Sequence, residues 1–194
     1  LELFYVLMSE RIDKFTNHCH HALCLGERTV NGQTSMPQTL QATVAVTVTA
    51  SGEMLKPLVV YKGKPGACIE TREFPTFPDN TFYACQGSAW MDKRIMQMWV
   101  RLVLKPYIED VSMHIQPQLL LERYKCHTMA SVFADIEALG VQIENIPGRC
   151  TGLYQPVDVR VGKPLKTRAR HLWEEWMVEQ CTTATAPLKP PSRF

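Results

Sequence analysis

Two carboxylates in this chain could do chemistry together. Glu122 closes the apolar run Gln118-Leu119-Leu120-Leu121-Glu122, and Asp158 follows after 35 intervening residues, inside Tyr154-Gln155-Pro156-Val157-Asp158-Val159. An apolar strand that delivers an acid at its end, with a second acid just ahead of a basic segment, can bring both side chains to one edge of a sheet. Two-metal phosphodiester cleavage needs such hard oxygen ligands, with the cations about 3.5–4 Å apart clamping the attacking and leaving oxygens. Acids are common at element ends, so the pair has low specificity, and pattern alone favours two ordinary surface acids.

The basic residues Arg160, Lys163, Lys166, Arg168 and Arg170 follow Asp158 directly. Such a run can track phosphates, with a contribution that falls steeply as salt rises. The plainer reading is a solvated helix face, and the neighbouring acid tips the balance toward DNA contact. His18, Cys19, His20, His21 and Cys24 invite a zinc reading. A structural zinc site takes four ligands, usually as two spaced pairs. No second pair is evident, because Cys68 and Cys85 stand far apart, so an incidental polar connection is favoured. Trp90, Trp99, Trp173 and Trp176 fall on predicted helices and read as core rather than as a base-stacking platform.

The elements that must position these groups follow from periodicity and punctuation. Leu3–Met8 reads as the end of a buried strand, and 10–26 as irregular. Thr43–Ala50 alternates β-branched and small residues; with the Ser51-Gly52 turn and the run Leu58–Tyr61 it predicts a hairpin over 43–62. Pro65, Pro75 and Pro78 predict a loop over 65–80. Met91, Ile95, Met98, Trp99, Leu102 and Val103 recur at helical spacing, with Pro106 marking the end. Leu119–Leu121 predicts a short strand buried on both faces. Thr128 can cap a helix carrying Met129, Val132, Phe133, Ile136 and Leu139, and Gly140 can close it. Val141–Ile146 reads as a further strand. Pro164 suits the first turn of a last helix through Leu172, Trp173, Trp176 and Met177. Strands first, then alternation with helices, argue for a mixed sheet flanked by helices. The fold class is α/β, ribonuclease-H-like, with the first strand truncated. We expect a core over 1–180 and a disordered Thr-, Ala- and Pro-rich tail over 181–194.

Bulk properties bound the function classes. The 194 residues suffice for one domain with a sizeable core, and the formal net charge of +2 means that any basic patch is local. Seven irregularly spaced cysteines favour reduced thiols in the cytosol or nucleus over a secreted disulfide framework. No stretch approaches the roughly 20 apolar residues of a membrane span. The chain opens without Met, in an apolar run, and reads as part of something longer.

Several segments, in order, resemble the DDE endonuclease domain of pogo/Tigger-type transposases. Leu119-Leu120-Leu121-Glu122 with His127 resembles the family's Leu-Leu-Leu-Asp followed five residues later by His. Ile146-Pro147 and Leu153-Tyr154-Gln155-Pro156-Val157-Asp158-Val159 resemble its Leu-Pro turn and Leu-Leu-Gln-Pro-Leu-Asp-Val. Lys163-Pro164-Leu165-Lys166, Gly26-Glu27-Arg28-Thr29-Val30, Ala50 to Lys64 and Ala89-Trp90-Met91-Asp92 with Trp99 resemble further segments, so the likeness spans residues 3 to about 176. It implies catalytic, metal-holding roles for Glu122 and Asp158, with Mg²⁺ or Mn²⁺ if the protein is active and no cofactor otherwise. It implies outer roles for His127 and Gln155, DNA as partner, a nuclear location, no membrane association, and leaves homo-oligomerisation open.

The chain departs from the family pattern twice. The family's first Asp precedes the run that is here Leu3-Phe4-Tyr5 and would fall just before Leu1, with Asp13 a poor substitute beyond the strand. Glu122 replaces the second Asp, and its extra methylene moves the carboxylate outward by about 1.5 Å. The resemblance thus implies a degenerate or domesticated transposase core. The alternative is a non-catalytic DNA-associated or assembly module, as in centromere-protein-B-like relatives.

Overall fold

The computed structural model describes residues 2–13, 41–111, 117–122, 129–146 and 161–183. Six strands form one sheet: β1 (Glu2–Asp13), β2 (Gln41–Thr49), β3 (Leu58–Lys62), β4 (Phe82–Gln86), β5 (Pro117–Glu122) and β6 (Gln142–Ile146), in the order β4-β3-β2-β1-β5-β6. β2 pairs antiparallel with β1 and β3, while β1 with β5, β3 with β4, and β5 with β6 pair parallel. Five strands therefore run one way and β2 the other. This mixed sheet with flanking helices is the expected class and is compatible with a ribonuclease-H-like fold.

The hairpin over 43–62 is present, closed at the Ser51-Gly52 turn, where Gly52 takes φ +89°. β1 runs longer than the sequence suggested. It continues through Asp13 because residues Arg11 to Asp13 keep pairing with Thr43 to Gln41. The alternation of β2 separates two environments. Thr43, Ala45, Thr47 and Thr49 are buried on one face, and Val46, with Val44 and Val48, packs against Val161.

The helices α1 (Lys93–Trp99), α2 (Lys105–Val111) and α3 (Ala130–Glu137) carry the main core. Asp92 starts α1, its Oδ1 accepting the Ile95 N–H at 2.9 Å. That satisfies one of the first-turn donors a helix leaves open. Ile95, Met96, Trp99, Val103 and Leu104 pack with Leu119, Leu121, Val132 and Ile136. The Trp99 indole N–H donates to Thr47 Oγ1 at 3.0 Å, joining α1 to the sheet.

Pro106 does not end this helix. Between α1 and α2, Val100–Leu104 widens to a π-turn, and the Lys105 N–H reaches back to the Val100 carbonyl. The wider turn resets the hydrogen-bond register, so Pro106 falls in the first turn of α2, where its missing N–H matters little. The start of α3 differs too: Met129 takes the capping position with no side-chain hydrogen bond, and Thr128 lies outside the described residues. Gly140, at φ +76°, closes α3 as expected.

The expected loop over 65–80 holds a π-turn at Ile69–Glu73 and a 3₁₀ turn at Phe74–Thr76, and β4 follows it without having been foreseen. Pro75 sits in the first turn of the 3₁₀ segment, where no donor is needed. Phe74 and Phe77 close on Tyr61 and Tyr83 with ring centroids 5.1 to 6.4 Å apart, which ties the segment to β3 and β4. Burial, then the nearby Tyr83 and Glu73, push the Tyr61 phenol up to about 12. A folded-state value above the usual 10 stabilises the fold below pH 10, and this contribution is lost as the pH climbs from about 10 through 12. Thermal unfolding between pH 9 and 12 should therefore show a drop that Tyr61→Phe removes. An unchanged drop in the variant would assign it to another group.

The last helix, α4 (Lys163–Thr183), carries Pro164 in its first turn as expected. It runs three residues into the stretch read as a tail, and residues 184–194 lie outside the described ones. Trp173 and Trp176 are only half-buried and stack on each other at 5.2 Å, outside the main core. Of the four tryptophans, Trp99 alone has the fully buried core position expected for all of them; Trp90 is 43% exposed.

Candidate functional site

Glu122 is the last residue of β5, and its backbone pairs with Ile146 at the end of β6. β5 is held there by its own apolar residues: Leu119 and Leu121 are fully buried, while Leu120 is half-buried. The strand is thus covered more completely on one face than on the other. β5 therefore ends at an acidic residue, beside the end of β6. β1, β3, β4 and β6 run the same way as β5, but only β6 ends level with it: β1 continues past the level of Glu122 to Asp13, and β3 and β4 end level with Asp13.

The register fixes what stands beside Glu122. Glu2 pairs with Pro117 and Tyr5 with Leu120. Continuing by two residues sets Leu7 level with Glu122. The chain entering β1 comes in at the Pro117 end of β5, five residues from Glu122, or about 16 Å at the rise of a strand. The β1 acids beyond the Leu7 level are Glu10 and Asp13. Asp13, which the sequence placed past the strand, is its final residue and pairs with Gln41.

Asp158, His127, Gln155 and Arg160 lie outside the described residues, as do His18 to Cys24. Among the described residues no group of three His, Cys, Asp or Glu could hold a metal ion. The described part supplies one strand-end acid of the right oxygen chemistry and does not build a metal centre by itself. Cys68 is exposed and Cys85 is buried.

Lys163, Lys166, Arg168 and Arg170 are all exposed on α4. At 3.6 residues per turn, Lys163, Lys166 and Arg170 share one face and Arg168 falls on the other. The sequence grouped them as one run; the helix splits them three to one. Acidic Glu174, Glu175 and Glu179 occupy the second half of α4, with His171 Nδ1 3.8 Å from Glu174 Oε2. Positive charge is thus concentrated near the start of α4.

A second polar group at the sheet edge escaped the sequence reading. Lys62 ends β3 and Gln86 ends β4, directly paired. Gly63 N–H donates to the Gln86 carbonyl at 3.0 Å, and Trp90 N–H to Gln86 Oε1 at 3.1 Å. The turn signal Gly87-Ser88 ahead of Trp90 and the Asp92 cap was visible in sequence. It marked Trp90 as outside the helix that was expected to bury it.

The sequence of residues 39–192 matches the family model of the DDE superfamily endonuclease, well over half of the chain. The chain belongs to the DDE superfamily endonucleases. The mouse and human proteins named "Pogo transposable element with KRAB domain" are each 28% identical to this DDE domain over 156 residues, 79% of the chain and 24% of the relative. The human "Pogo transposable element with ZNF domain" is 23% identical over 141 residues, 73% of the chain and 9% of the relative. The DDE chain thus spans about a quarter of the length of the KRAB-domain relatives, and its likeness to them marks it as pogo-type. No solved structure matches it significantly. No helix among the described residues is long and apolar enough to cross a membrane.

Proposed function

We propose that this chain is a DNA-binding, transposase-derived core, roughly residues 1–180, that acts in the nucleus and whose ancestral reaction was metal-dependent strand cleavage and transfer. The observation that carries the reading is the placement of Glu122 at the end of buried β5, in a chain of this family. Glu122 and Asp158 would supply hard oxygen ligands to Mg²⁺ or Mn²⁺, which when bound polarises phosphodiester oxygens. His127 and Gln155 would orient that pair. Arg160, Lys163, Lys166, Arg168 and Arg170 would hold the DNA backbone. Glu122 in place of Asp argues for a degenerate active site, with cleavage well below that of an intact relative.

The same substitution favours a second reading, a non-catalytic DNA-associated or assembly module that has kept the fold and lost the chemistry, self-associating or not. DNA binding is common to both and is tested first. Duplex affinity, measured by anisotropy at several salt concentrations, should fall as salt rises. Lys163→Ala/Lys166→Ala/Arg170→Ala should weaken binding to all sequences alike and reduce the slope of log K against log salt by about 3, near 0.9 for each lost phosphate contact. An unchanged slope in a folded triple variant would exclude this face of α4. A chain that binds no DNA at low salt would overturn both readings.

A further inference from the structure

The charges of α4 are sorted along its length, and against its own dipole. The first half carries Lys163, Lys166, Arg168 and Arg170 and no acid; the second carries Glu174, Glu175 and Glu179 and no Lys or Arg. A helix on its own is favoured by the opposite order, acids in the first turn and cations in the last. DNA contact accounts for the basic half and leaves the acidic half without a purpose. Both halves are explained if a second helix of the same kind lies alongside in the reverse direction.

An apolar seam runs between them. Leu165, Ala169, Leu172 and Trp176 follow one another at spacings of four, three and four, the spacing that keeps residues on one stripe facing a partner helix. Leu172 is 49% exposed and the other three are half-buried. None of the four belongs to the main core or to the smaller cluster around Val46. Arg168 and Glu175 border this stripe on the same side, one heptad apart, and both are exposed. Seven residues are about 10.5 Å along a helix, beyond the i+4 reach at which side chains of one helix pair. Neither has an ion-pair partner among the described residues.

We propose that this stripe is the contact of a homodimer, in which α4 packs antiparallel on α4 of a second copy. The sorted charges select that occupant and that direction. A parallel pair sets like charges against like, whereas an antiparallel pair sets each basic half on the acidic half of the other copy. The two-fold axis then doubles every contact: Arg168 of each copy lies opposite Glu175 of the other. The midpoint between positions 168 and 175 brings the two Leu172 side chains together beside the axis, where water is most fully excluded. Lys163, Lys166 and Arg170 share a different face of the helix, so pairing stands independently of the DNA reading.

The test is sedimentation velocity of the full chain, without DNA, over a concentration series. The unaltered chain should pass from monomer to dimer as its concentration rises. Arg168→Glu and Glu175→Arg each set like charges opposite one another twice, and each should raise the dissociation constant by about tenfold. An equimolar mixture of the two variants should dimerise again, since one supplies only acids at these positions and the other only cations. That rescue arises only between copies, so a folding defect does not imitate it. Leu172→Glu, at a half-exposed position, should give a monomer with unaltered thermal unfolding. A chain that stays monomeric at every concentration overturns the proposal. So does a dimer that neither reversal weakens, or a mixture of the two variants that remains monomeric.

Discussion

Replacing Trp99 by alanine is expected to destabilise the fold by about 3–5 kcal/mol, the range for deleting a buried tryptophan side chain. Trp99 has no solvent exposure and sits in the cluster that α1, the π-turn, β5 and α3 share. Few neighbours there could move to fill the space, since Leu104, Leu119, Leu121 and Ile136 are themselves fully buried. The loss has a second part. The Thr47 hydroxyl, itself buried, would lose the indole N–H it receives at 3.0 Å. Thr47→Val tests that part alone by leaving the indole donor without its acceptor, which costs about 1–3 kcal/mol. Urea unfolding of the two single variants and the double variant separates packing from the hydrogen bond. Residues in contact should be non-additive. A Trp99→Ala midpoint close to that of the unaltered protein would mean that the helical layer packs some other way.

The other large effect expected is chemical. In a chain with the family's first Asp restored ahead of Leu1, Glu122→Asp should raise Mg²⁺-dependent nicking of DNA by about 10²-fold, because a misplacement near 1 Å at a reacting centre costs about that much. Mg²⁺ holds its ligands in near-ideal octahedral geometry, so a carboxylate extended by one methylene is poorly tolerated. Mn²⁺ in place of Mg²⁺ should narrow the gap if geometry is the cause. The assay is conversion of supercoiled plasmid to open circle, with Asp158→Ala as the blank. Recovered nicking identifies a crippled enzyme. Unchanged DNA binding with no nicking in Glu122→Asp would remove the enzymatic reading and leave the binding module.

Local physics made part of this molecule legible in its sequence. β2 alternates strictly, β5 is a bounded apolar run, and α3 closes at a glycine in the left-handed region, so each announced its own type. What escaped depends on non-local context. β4 is five residues of mixed character that become a strand by pairing with β3, and nothing in Phe-Tyr-Ala-Cys-Gln alone requires it. Pro106 was read as a stop because the π-turn that resets the register leaves no mark in the hydrophobic spacing. β1 extends to Asp13 only because β2 is there to pair with it. In the candidate site, Glu122 was legible as a strand end. Trp90 was not, since it stands next to Met91, where the helical spacing begins, and only the turn held by Gln86 sets it outside α1. The basic run was legible as charge, but its division between two faces of α4 appears only once the helix is fixed.

β1 lies at the centre of the sheet, between β2 and β5. Its parallel partner arrives late: Tyr5 pairs with Leu120, 115 residues further along the chain. At a synthesis rate of about 5–20 residues per second, one side of that strand would wait about 6–23 s for its neighbour to be made. An unpaired strand edge is a template for the wrong partner, and closing so long a loop is slow. The step that joins the two halves of this sheet should therefore be the last and slowest in folding, and the one most dependent on chaperones in the cell.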